Sequence, residues 1–253
     1  MAREWFREFF DEFYYATYRP LESEERNRRE AEFIAWALRL PPGSRLLDLG
    51  CGYCRHAVYL ALMGYRVTCL DLSEYLLERC RERAEEFGVE LEIARGDLRG
   101  LEYEGAFDGV YMFYTTFGYF DHETNLRVLE RISRALRPGG RLLLDIWSKP
   151  RTLWMHYNSR GEVRNWYEAG GYLVLDVSRY DVLEDAVIAE RTIASNRGIL
   201  AKREFRVRVY TLAELKRMLE EAGLRLSRAY GDYNGSEYEI SSPRLIAIAE
   251  KPL

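Results

Sequence analysis

The sequence predicts an α/β fold in which a parallel sheet carries an antiparallel β insertion. From 45 to 146, apolar runs of strand length alternate with amphipathic helical stretches, which is typical of βαβ units. Glycine or proline follows each predicted helix, at Gly64, Gly88 and Pro138. From 149 to 210, short alternating runs separated by turn residues favour an antiparallel sheet instead. The predicted parallel strands are 45–49, 66–70, 90–94, 107–113 and 141–146, and the predicted helices are 55–63, 73–87 and 125–136.

The flanking segments complete this organisation. Aromatic and charged residues at helical spacing, before a break at Pro41, predict two N-terminal helices. Near the other end, Thr211 and Glu214 form a capping box that opens a helix, and strand patterns follow at 224–230 and 245–249. We therefore expect one domain over 1–253, made of an N-terminal helical lid (1–42), a ligand-binding core (43–150), the antiparallel insertion (151–210) and a closing helix with a β-hairpin (211–253).

The composition is typical of a folded, water-soluble protein. Of the 253 residues, 47% are hydrophobic and 31% are charged, and no apolar run reaches the roughly 18 residues of a membrane helix. The start of the chain lacks the apolar stretch of a signal peptide, so we expect a cytoplasmic protein without membrane contact. The chain contains no Gln and is rich in Arg and Glu, a bias typical of thermophilic proteins.

The overall charge argues against a nucleic-acid partner. A net charge of −4 gives no global attraction to phosphate, although 37 Lys and Arg residues could still form a local basic face. Nucleic acid is therefore disfavoured as a partner but stays open.

A glycine loop follows the first predicted strand. Asp48 lies near the end of that strand, and Gly50 and Gly52 allow a tight turn and the close approach of a ligand. Asp71 ends the second predicted strand about 20 residues further on, where a carboxylate can accept hydrogen bonds from both ribose hydroxyls. Asp97 follows the third strand and can reach the exocyclic amine of an adenine. Three signals in register predict an adenosine-binding site.

With these motifs, the sequence resembles the class I S-adenosylmethionine-dependent methyltransferases over essentially its whole length. Arg137-Pro138-Gly139-Gly140, before the fifth strand, is similar to the turn that sets this family apart from dehydrogenases. The resemblance implies a Rossmann-like, seven-stranded, mostly parallel sheet with helices on both faces and an antiparallel last strand. It implies S-adenosyl-L-methionine as the cofactor, bound by Asp48, Gly50, Cys51, Gly52, Asp71, Leu72, Asp97, Leu98 and Phe113.

A narrower resemblance is to small-molecule methyltransferases of the glycine and sarcosine type from bacteria and archaea. It rests on residues 55–57, 113–120 and 231–235. It implies that Arg29 pairs with the methionine carboxylate of the cofactor and that Tyr18 covers it. It also implies that the insertion closes over a small-molecule acceptor or forms a homodimer contact.

Methyl transfer from a sulfonium is an in-line displacement, so the protein mainly has to align the acceptor and exclude water. We therefore assign no catalytic residue. Tyr114 and Tyr119 after the fourth strand, Tyr157 in the insertion and Tyr233 between the last two strands are expected at the carboxyl edge of the sheet. These four tyrosines are our candidates for the acceptor pocket.

Several alternatives stay open from the sequence. Cys51 and Cys54 form a C-x-x-C, which could be a redox pair, but the glycine loop already explains their position. No second C-x-x-C or His pair completes a metal set, so we predict no metal, and a structural disulfide that involves Cys69 or Cys80 is an alternative. Competing functions are an RNA methyltransferase, a nucleotide-binding oxidoreductase and a non-catalytic protein that binds S-adenosylmethionine.

Overall fold

Residues 4–253, which the computed structural model describes, form eight α-helices and eleven β-strands. The first three residues of the predicted N-terminal lid lie outside this range. The helices are α1 (Phe6–Phe9), α2 (Glu12–Tyr18), α3 (Glu24–Leu38), α4 (Ala57–Leu62), α5 (Glu74–Phe87), α6 (His122–Ala135), α7 (Lys149–Asn158) and α8 (Leu212–Glu221). The strands are β1 (Arg45–Leu49), β2 (Arg66–Asp71), β3 (Glu92–Arg95), β4 (Phe107–Met112), β5 (Leu136–Trp147), β6 (Glu162–Ala169), β7 (Tyr172–Asp181), β8 (Ala186–Ser195), β9 (Gly198–Arg208), β10 (Arg225–Tyr230) and β11 (Arg244–Glu250).

The larger sheet has seven strands in the order β10-β11-β5-β4-β1-β2-β3. Strands β1 to β5 pair in parallel, whereas β11 is antiparallel to both of its neighbours, β5 and β10. This pairing confirms the predicted Rossmann-like sheet with an antiparallel last strand. Because β10 runs in the same direction as the core strands, the turn between β10 and β11 lies at their carboxyl edge.

Helices cover both faces of this sheet because its central strands are buried on both sides. All six residues of β4 are buried, as expected for a strand with helices above and below it. Helices α3, α4 and α5 bury Ile34, Val58 and Leu77 in a cluster on one face. Helices α6 and α8 bury Leu129 and Leu215 on the other.

The smaller sheet is the predicted antiparallel insertion. Its four strands pair antiparallel in the order β6-β7-β8-β9. Helix α7, which the sequence analysis did not predict, precedes it and packs against β6 and β7. The N-terminal helices α1 and α2 contact β9 and β6, so they lie between the two sheets.

Helix capping explains where two segments begin. The predicted capping box is present, because the Glu214 amide donates to Thr211 Oγ1 at 3.2 Å and the Thr211 amide donates to Glu214 Oε2 at 2.7 Å. We predicted two helices before the sheet, and the structure has three, α1, α2 and α3. The Asp11 side chain accepts from the Tyr14 amide at 3.0 Å and starts α2 as a separate helix after α1.

A disulfide joins the glycine loop to helix α5. It links Cys54 to Cys80, whereas Cys51 and Cys69 are buried free thiols. The sulfur atoms of Cys51, Cys54 and Cys69 lie within 4.8 Å of one another, but the Cys54 sulfur is already bonded to Cys80. The C-x-x-C is therefore not a bridged pair, and its second cysteine fastens the loop to a helix 26 residues away in sequence.

None of the helices in residues 4–253 has both the length and the apolar character needed to cross a lipid bilayer.

Candidate active site

A cavity of about 940 Å³, counting the part that opens to solvent, lies at the carboxyl edge of the large sheet. The segments that follow β1, β2, β3 and β4 form its floor, and side chains of α1 and α2 contribute to its walls. The structure brings together at this cavity all nine residues predicted to bind the cofactor, namely Asp48, Gly50, Cys51, Gly52, Asp71, Leu72, Asp97, Leu98 and Phe113.

The glycine loop needs its first glycine for two reasons. Gly50 has a φ of +73°, in the left-handed region that disfavours side chains. A Cβ atom at this position would lie 2.3 Å from Cγ2 of Thr116, so the loop after β1 packs directly on the segment after β4. Cys54, the second cysteine of the C-x-x-C, also has a positive φ of 60° and is joined to Cys80 by the disulfide.

Asp71 links the loop to the second strand. Its carboxylate accepts hydrogen bonds from the amides of Gly52, at 2.8 Å, and Ser73, at 2.9 Å. Desolvation in the cavity raises the pKa of Asp71 above its usual value, although these amide hydrogen bonds oppose that shift. The carboxylate is thus fixed at the end of β2 and lines the cavity.

Asp48 is a buried carboxyl group behind the loop. Burial raises its pKa to about 7, although a hydrogen bond from the Tyr111 hydroxyl, at 2.8 Å, opposes the shift. The nearby carboxylate of Asp71 raises the pKa further. Asp48 therefore changes charge near neutral pH, and an incoming cation would favour its ionised form.

Asp97 is engaged by an arginine. Arg99 donates to its carboxylate from Nε at 3.0 Å and from Nη2 at 2.6 Å. Burial alone would raise the pKa of Asp97, but these hydrogen bonds hold it below its usual value. Asp97 is ionised at neutral pH and lines the cavity beside Leu98.

A buried ionic network joins helix α3 to the residues after the glycine loop. Glu30 is 2% exposed and accepts hydrogen bonds from Arg26 Nε and Arg55 Nη1, at 2.8 and 2.7 Å. Its Oε2 also lies 2.8 Å from His56 Nε2. Burial would raise the pKa of Glu30, but these partners lower it to about 2. Burial lowers the pKa of His56 to about 4, so this histidine is neutral at physiological pH.

The prediction for Arg29 is wrong, and the geometry favours Arg55 at the cavity. Arg29 lies on the outer face of α3, where its side chain is 71% exposed and pairs with Glu25. Arg55 is 8% exposed and lines the cavity, and its Nη2 is buried without a hydrogen-bond partner among the described residues. A buried, unpaired guanidinium nitrogen is costly, and an anionic ligand group would satisfy it.

A second cavity, of about 930 Å³ including its opening, adjoins the first. Three of the four acceptor candidates, Tyr114, Tyr119 and Tyr233, line it, and so does Tyr18. Tyr157 is not among its lining residues. It lies on α7, whose outer face leaves it 85% exposed, so its prediction as a pocket residue is wrong.

The two cavities share four aromatic residues: Phe10, Tyr14, Tyr114 and Tyr119. The N-terminal aromatic stripe serves both packing and the cavity walls. Trp5, Phe6 and Phe9 are buried in a cluster with Val207 of the small sheet, and Phe10 and Tyr14 pack against that cluster. Phe6 also lines the first cavity, Trp5 and Phe9 line the second, and Phe10 and Tyr14 line both.

A fully buried carboxylate holds the segment between the cavities. Asp145 on β5 is 0% exposed and accepts from Arg244 Nε at 2.7 Å, the Tyr233 hydroxyl at 2.9 Å and the Tyr114 amide at 2.8 Å. Arg244 also donates to Thr115 Oγ1 at 2.8 Å. Tyr114 and Thr115 both have positive φ angles, 63° and 68°, which non-glycine residues adopt only when surrounding contacts impose them.

Comparisons with known proteins point to one family. The sequence profile of the family described as a methyltransferase domain matches residues 46–140. The cypemycin N-terminal methyltransferase of a Streptomyces species is 27% identical over 225 residues, which cover 87% of this chain and 89% of that protein. These matches support the class I S-adenosylmethionine-dependent methyltransferase family for this chain. The methyltransferase is an enzyme, and its cofactor is S-adenosyl-L-methionine.

Two further comparisons concern the fold and part of the sequence. The methyltransferase superposes on the structure of the CcbJ methyltransferase from Streptomyces caelestis with a TM-score of 0.80, at 21% identity, over 99% of this chain and 97% of that one. The glycine/sarcosine/dimethylglycine N-methyltransferase of Actinopolyspora halophila is 36% identical over 121 residues. That match covers 46% of this chain and 21% of the relative, so this chain spans only about a fifth of that protein.

The sequence analysis gave no role to three residues that matter in the methyltransferase site. Arg26 lies within a charged stretch, where nothing in the sequence separates an inward arginine from an outward one, and Arg55 follows the glycine loop, where the sequence analysis used it only for the narrower resemblance. Asp145 did leave a signal, because it ends an apolar strand as Asp48 does. A carboxylate at the carboxyl end of a buried strand is a candidate site residue in this kind of sheet.

We expect Asp145→Asn to lower the free energy of unfolding of the methyltransferase by about 3–5 kcal/mol, because Arg244 would keep a buried charge without its counterion. Urea unfolding measures this loss. Glu250→Gln, which removes a partly exposed partner of Arg141 near the other end of β11, is the control and should cost less than about 1 kcal/mol. Similar losses in both variants would contradict a special role for Asp145.

Proposed function

We propose that the enzyme transfers the methyl group of its cofactor to a small-molecule acceptor by in-line displacement, with cofactor and acceptor in the two adjoining cavities. The observation that carries this proposal is the shared boundary, where Phe10, Tyr14, Tyr114 and Tyr119 belong to both cavities. A donor on one side and an acceptor on the other would meet there, among side chains that exclude water.

The residues of the first cavity fit the cofactor. When bound, S-adenosyl-L-methionine supplies an electrophilic methyl group on a sulfonium. Asp71, fixed by two backbone amides, would accept hydrogen bonds from the ribose hydroxyls, and Asp97 would accept one from the adenine amine. The absence of a side chain at Gly50 leaves room for close approach of the ligand to the backbone.

The methionine end of the cofactor calls for one cationic and one anionic partner. Arg55, with its unpaired Nη2, would hold the carboxylate, taking the role first predicted for Arg29. Asp48 would attract the ammonium group in its ionised form. Both residues flank the glycine loop, so loop geometry and cofactor recognition are linked.

The N-terminal helices and the insertion would close the site. We propose that residues up to 42 act as a lid, since Trp5 and Phe10, which flank α1, and Tyr14 of α2 contribute to the cavity walls. The insertion contributes Phe205 and Val207 to the second cavity. Both segments thus face an acceptor of small-molecule size, and the named acceptors of the glycine/sarcosine/dimethylglycine relative are small molecules as well.

A transfer assay tests the proposed function. The enzyme is incubated with methyl-labelled cofactor and, separately, with a small-molecule panel of amines, phenols, carboxylates and amino sugars or with mixed RNA. We expect label in at least one small molecule and none in RNA. Label only in RNA would replace this proposal with an RNA methyltransferase. Binding of NAD without binding of S-adenosylhomocysteine, measured by calorimetry, would contradict the cofactor site.

We expect Arg55→Met to weaken S-adenosylhomocysteine binding about 10- to 100-fold, because a charge-assisted hydrogen bond to the carboxylate is lost. Binding of 5′-methylthioadenosine, which lacks the amino-acid part, should be unchanged. Calorimetry of both ligands measures the two effects, and the second also reports an intact adenosine site.

Arg29→Met is the matched control and should leave both affinities unchanged. If Arg29→Met weakens S-adenosylhomocysteine binding instead, the original prediction for Arg29 is restored. If Arg55→Met weakens both ligands equally, Arg55 supports the fold of the loop and does not recognise the carboxylate.

We expect the affinity for S-adenosylhomocysteine to rise as pH increases through about 7, because ionised Asp48 attracts the ligand's ammonium group. The charged and titratable groups that face Asp48 are Tyr111, Asp71, Arg55 and the thiols of Cys51 and Cys69. The stability of the ligand-free enzyme depends on pH in the opposite direction. The raised pKa of Asp48 contributes stability that is present at low pH and lost as pH rises through about 7.

Calorimetry between pH 5.5 and 8 measures this dependence, and Asp48→Asn should remove it. The ligand-induced rise in Tm should also be larger at pH 8 than at pH 6 in the unsubstituted enzyme. A pH profile that is the same in Asp48→Asn would assign the titration to another group.

A further inference from the structure

The second cavity has walls of unusual composition. Ten of its fourteen lining residues are aromatic, and the others are Thr115, Val207, Arg26 and Arg244. Resting on the proposed function, we propose that the acceptor is a planar aromatic compound whose methyl-accepting atom has a free lone pair at neutral pH, and not an alkylammonium. Phenolates, aryl carboxylates, arylamines and ring nitrogens share this chemistry.

The aromatic walls favour a flat ring. Tyr119 stacks on Phe10 with ring centroids 5.9 Å apart and meets Trp5 edge to face at 4.8 Å. Tyr14 stacks on Tyr18 at 4.4 Å. A planar guest can continue such stacked and edge-to-face contacts.

The second cavity offers no group that could remove a proton from the acceptor. Its described lining residues include no Asp, Glu, His or Lys. Desolvation raises the pKa values of Tyr14, Tyr18 and Tyr119, so these hydroxyls stay protonated at neutral pH. Burial opposes the charge of Arg244, but its ion pair with Asp145 raises the pKa of this guanidinium, which cannot act as a base.

The acceptor therefore has to arrive with its lone pair already free. An alkylamine resembles the lysine side chain, and at pH 7 only roughly one molecule in a thousand or fewer is neutral. Phenols of low pKa, carboxylates, arylamines and ring nitrogens need no such loss of a proton before attack.

The charges at the wall also disfavour an ammonium group. Arg26 and Arg244 line the cavity, whereas their carboxylate partners, Glu30 and Asp145, are buried and are not among the lining residues. A guest thus lies closer to the positive member of each pair. The guanidinium carbons of Arg26 and Arg244 both lie 5.8 Å from the centre of the Tyr114 ring. The Tyr114 ring therefore already has cation–π contacts with two arginines.

An unpaired donor points to a hydrogen-bond acceptor on the guest. Trp5 lines the cavity and is 9% exposed, and its Nε1 is buried without a hydrogen-bond partner among the described residues. Leaving such a donor unpaired is unfavourable. An oxygen or nitrogen atom on an aromatic guest would satisfy it, which makes Trp5 a specificity residue.

The transfer step balances for both kinds of acceptor. With an anionic oxygen, the lone pair forms the oxygen–carbon bond while the carbon–sulfur bond breaks, and the electron pair of that bond stays on sulfur. The two charges cancel and no proton is released. With a neutral nitrogen, the product carries the positive charge, and any N–H proton then leaves to water.

Matched probes test the acceptor class in the presence of saturating S-adenosylhomocysteine. The aromatic probes are 4-hydroxybenzoate, 4-aminobenzoate and pyridine-3-carboxylate, and the alkylammonium probes are 4-(aminomethyl)benzoate, 4-(aminomethyl)cyclohexanecarboxylate and glucosamine. Saturation-transfer NMR and tryptophan fluorescence measure binding. We expect at least one aromatic probe to bind at least tenfold more tightly than every alkylammonium probe.

Two tryptophan variants locate the bound ring. Trp5→Phe keeps the aromatic packing but removes the Nε1 donor, and it should weaken the best aromatic probe about three- to tenfold. Trp36→Phe is the control, because Trp36 is 49% exposed and is not among the lining residues of either cavity. Equal effects of the two substitutions would overturn the role of Trp5.

The remaining outcomes separate this inference from the proposed function. Binding and methylation of an alkylamine or amino sugar, with weaker aromatic probes, overturns the aromatic acceptor but keeps small-molecule methyl transfer. No detectable binding of any aromatic probe also overturns it. Label transfer only to RNA in the earlier assay overturns both.

Discussion

The buried carboxylate of Asp145 is the interaction on which the arrangement of both cavities depends. It joins the end of β5 to Arg244 at the start of β11, to Tyr233 in the turn before β11 and to the backbone of Tyr114 after β4. Three chain segments that are distant in sequence are thereby fixed at one edge of the sheet. A buried charge is tolerable only with such complete pairing, so the site and the closing strands are stabilised together.

A second buried carboxylate, Glu30, ties chain segments together near the first cavity. Glu30 on α3 binds Arg55 and lies beside His56, so a helix that precedes the sheet is tied to the residues after the glycine loop. The Cys54–Cys80 disulfide ties the same loop to α5. The loop is thus held from two directions, and the cradle for a nucleoside is largely formed by the protein alone. Preorganisation of this kind reduces the ordering cost of binding.

The two cavities are built from different parts of the chain. The cofactor cavity is built from strand ends, where backbone amides and carboxylates have fixed positions. The acceptor cavity takes its walls from α1, α2 and β9, which pack through aromatic side chains. In the proposed arrangement, recognition of the acceptor would rest on shape and ring stacking more than on charge, since the arginines nearby keep their own carboxylate partners.

The sequence by itself determined the sheet, the insertion and the nine residues placed at the cofactor cavity. The positions of the parallel strands follow from alternating apolar runs, the seven-stranded sheet follows from the family resemblance, and a residue at the carboxyl end of a parallel strand can only lie at one edge. Only the tertiary structure decided which charged side chains face inward. Arg29 and Arg55 look alike in sequence, yet helix rotation exposes the first and burial beside Glu30 turns the second towards the cavity. Tyr157 was predicted to line the pocket for a similar reason, because the sequence analysis did not predict helix α7 and so could not tell which of its residues face solvent. The packing of α1 and α2 against the small sheet, which creates the second cavity, depends on contacts between segments nearly two hundred residues apart, and no local pattern encodes them.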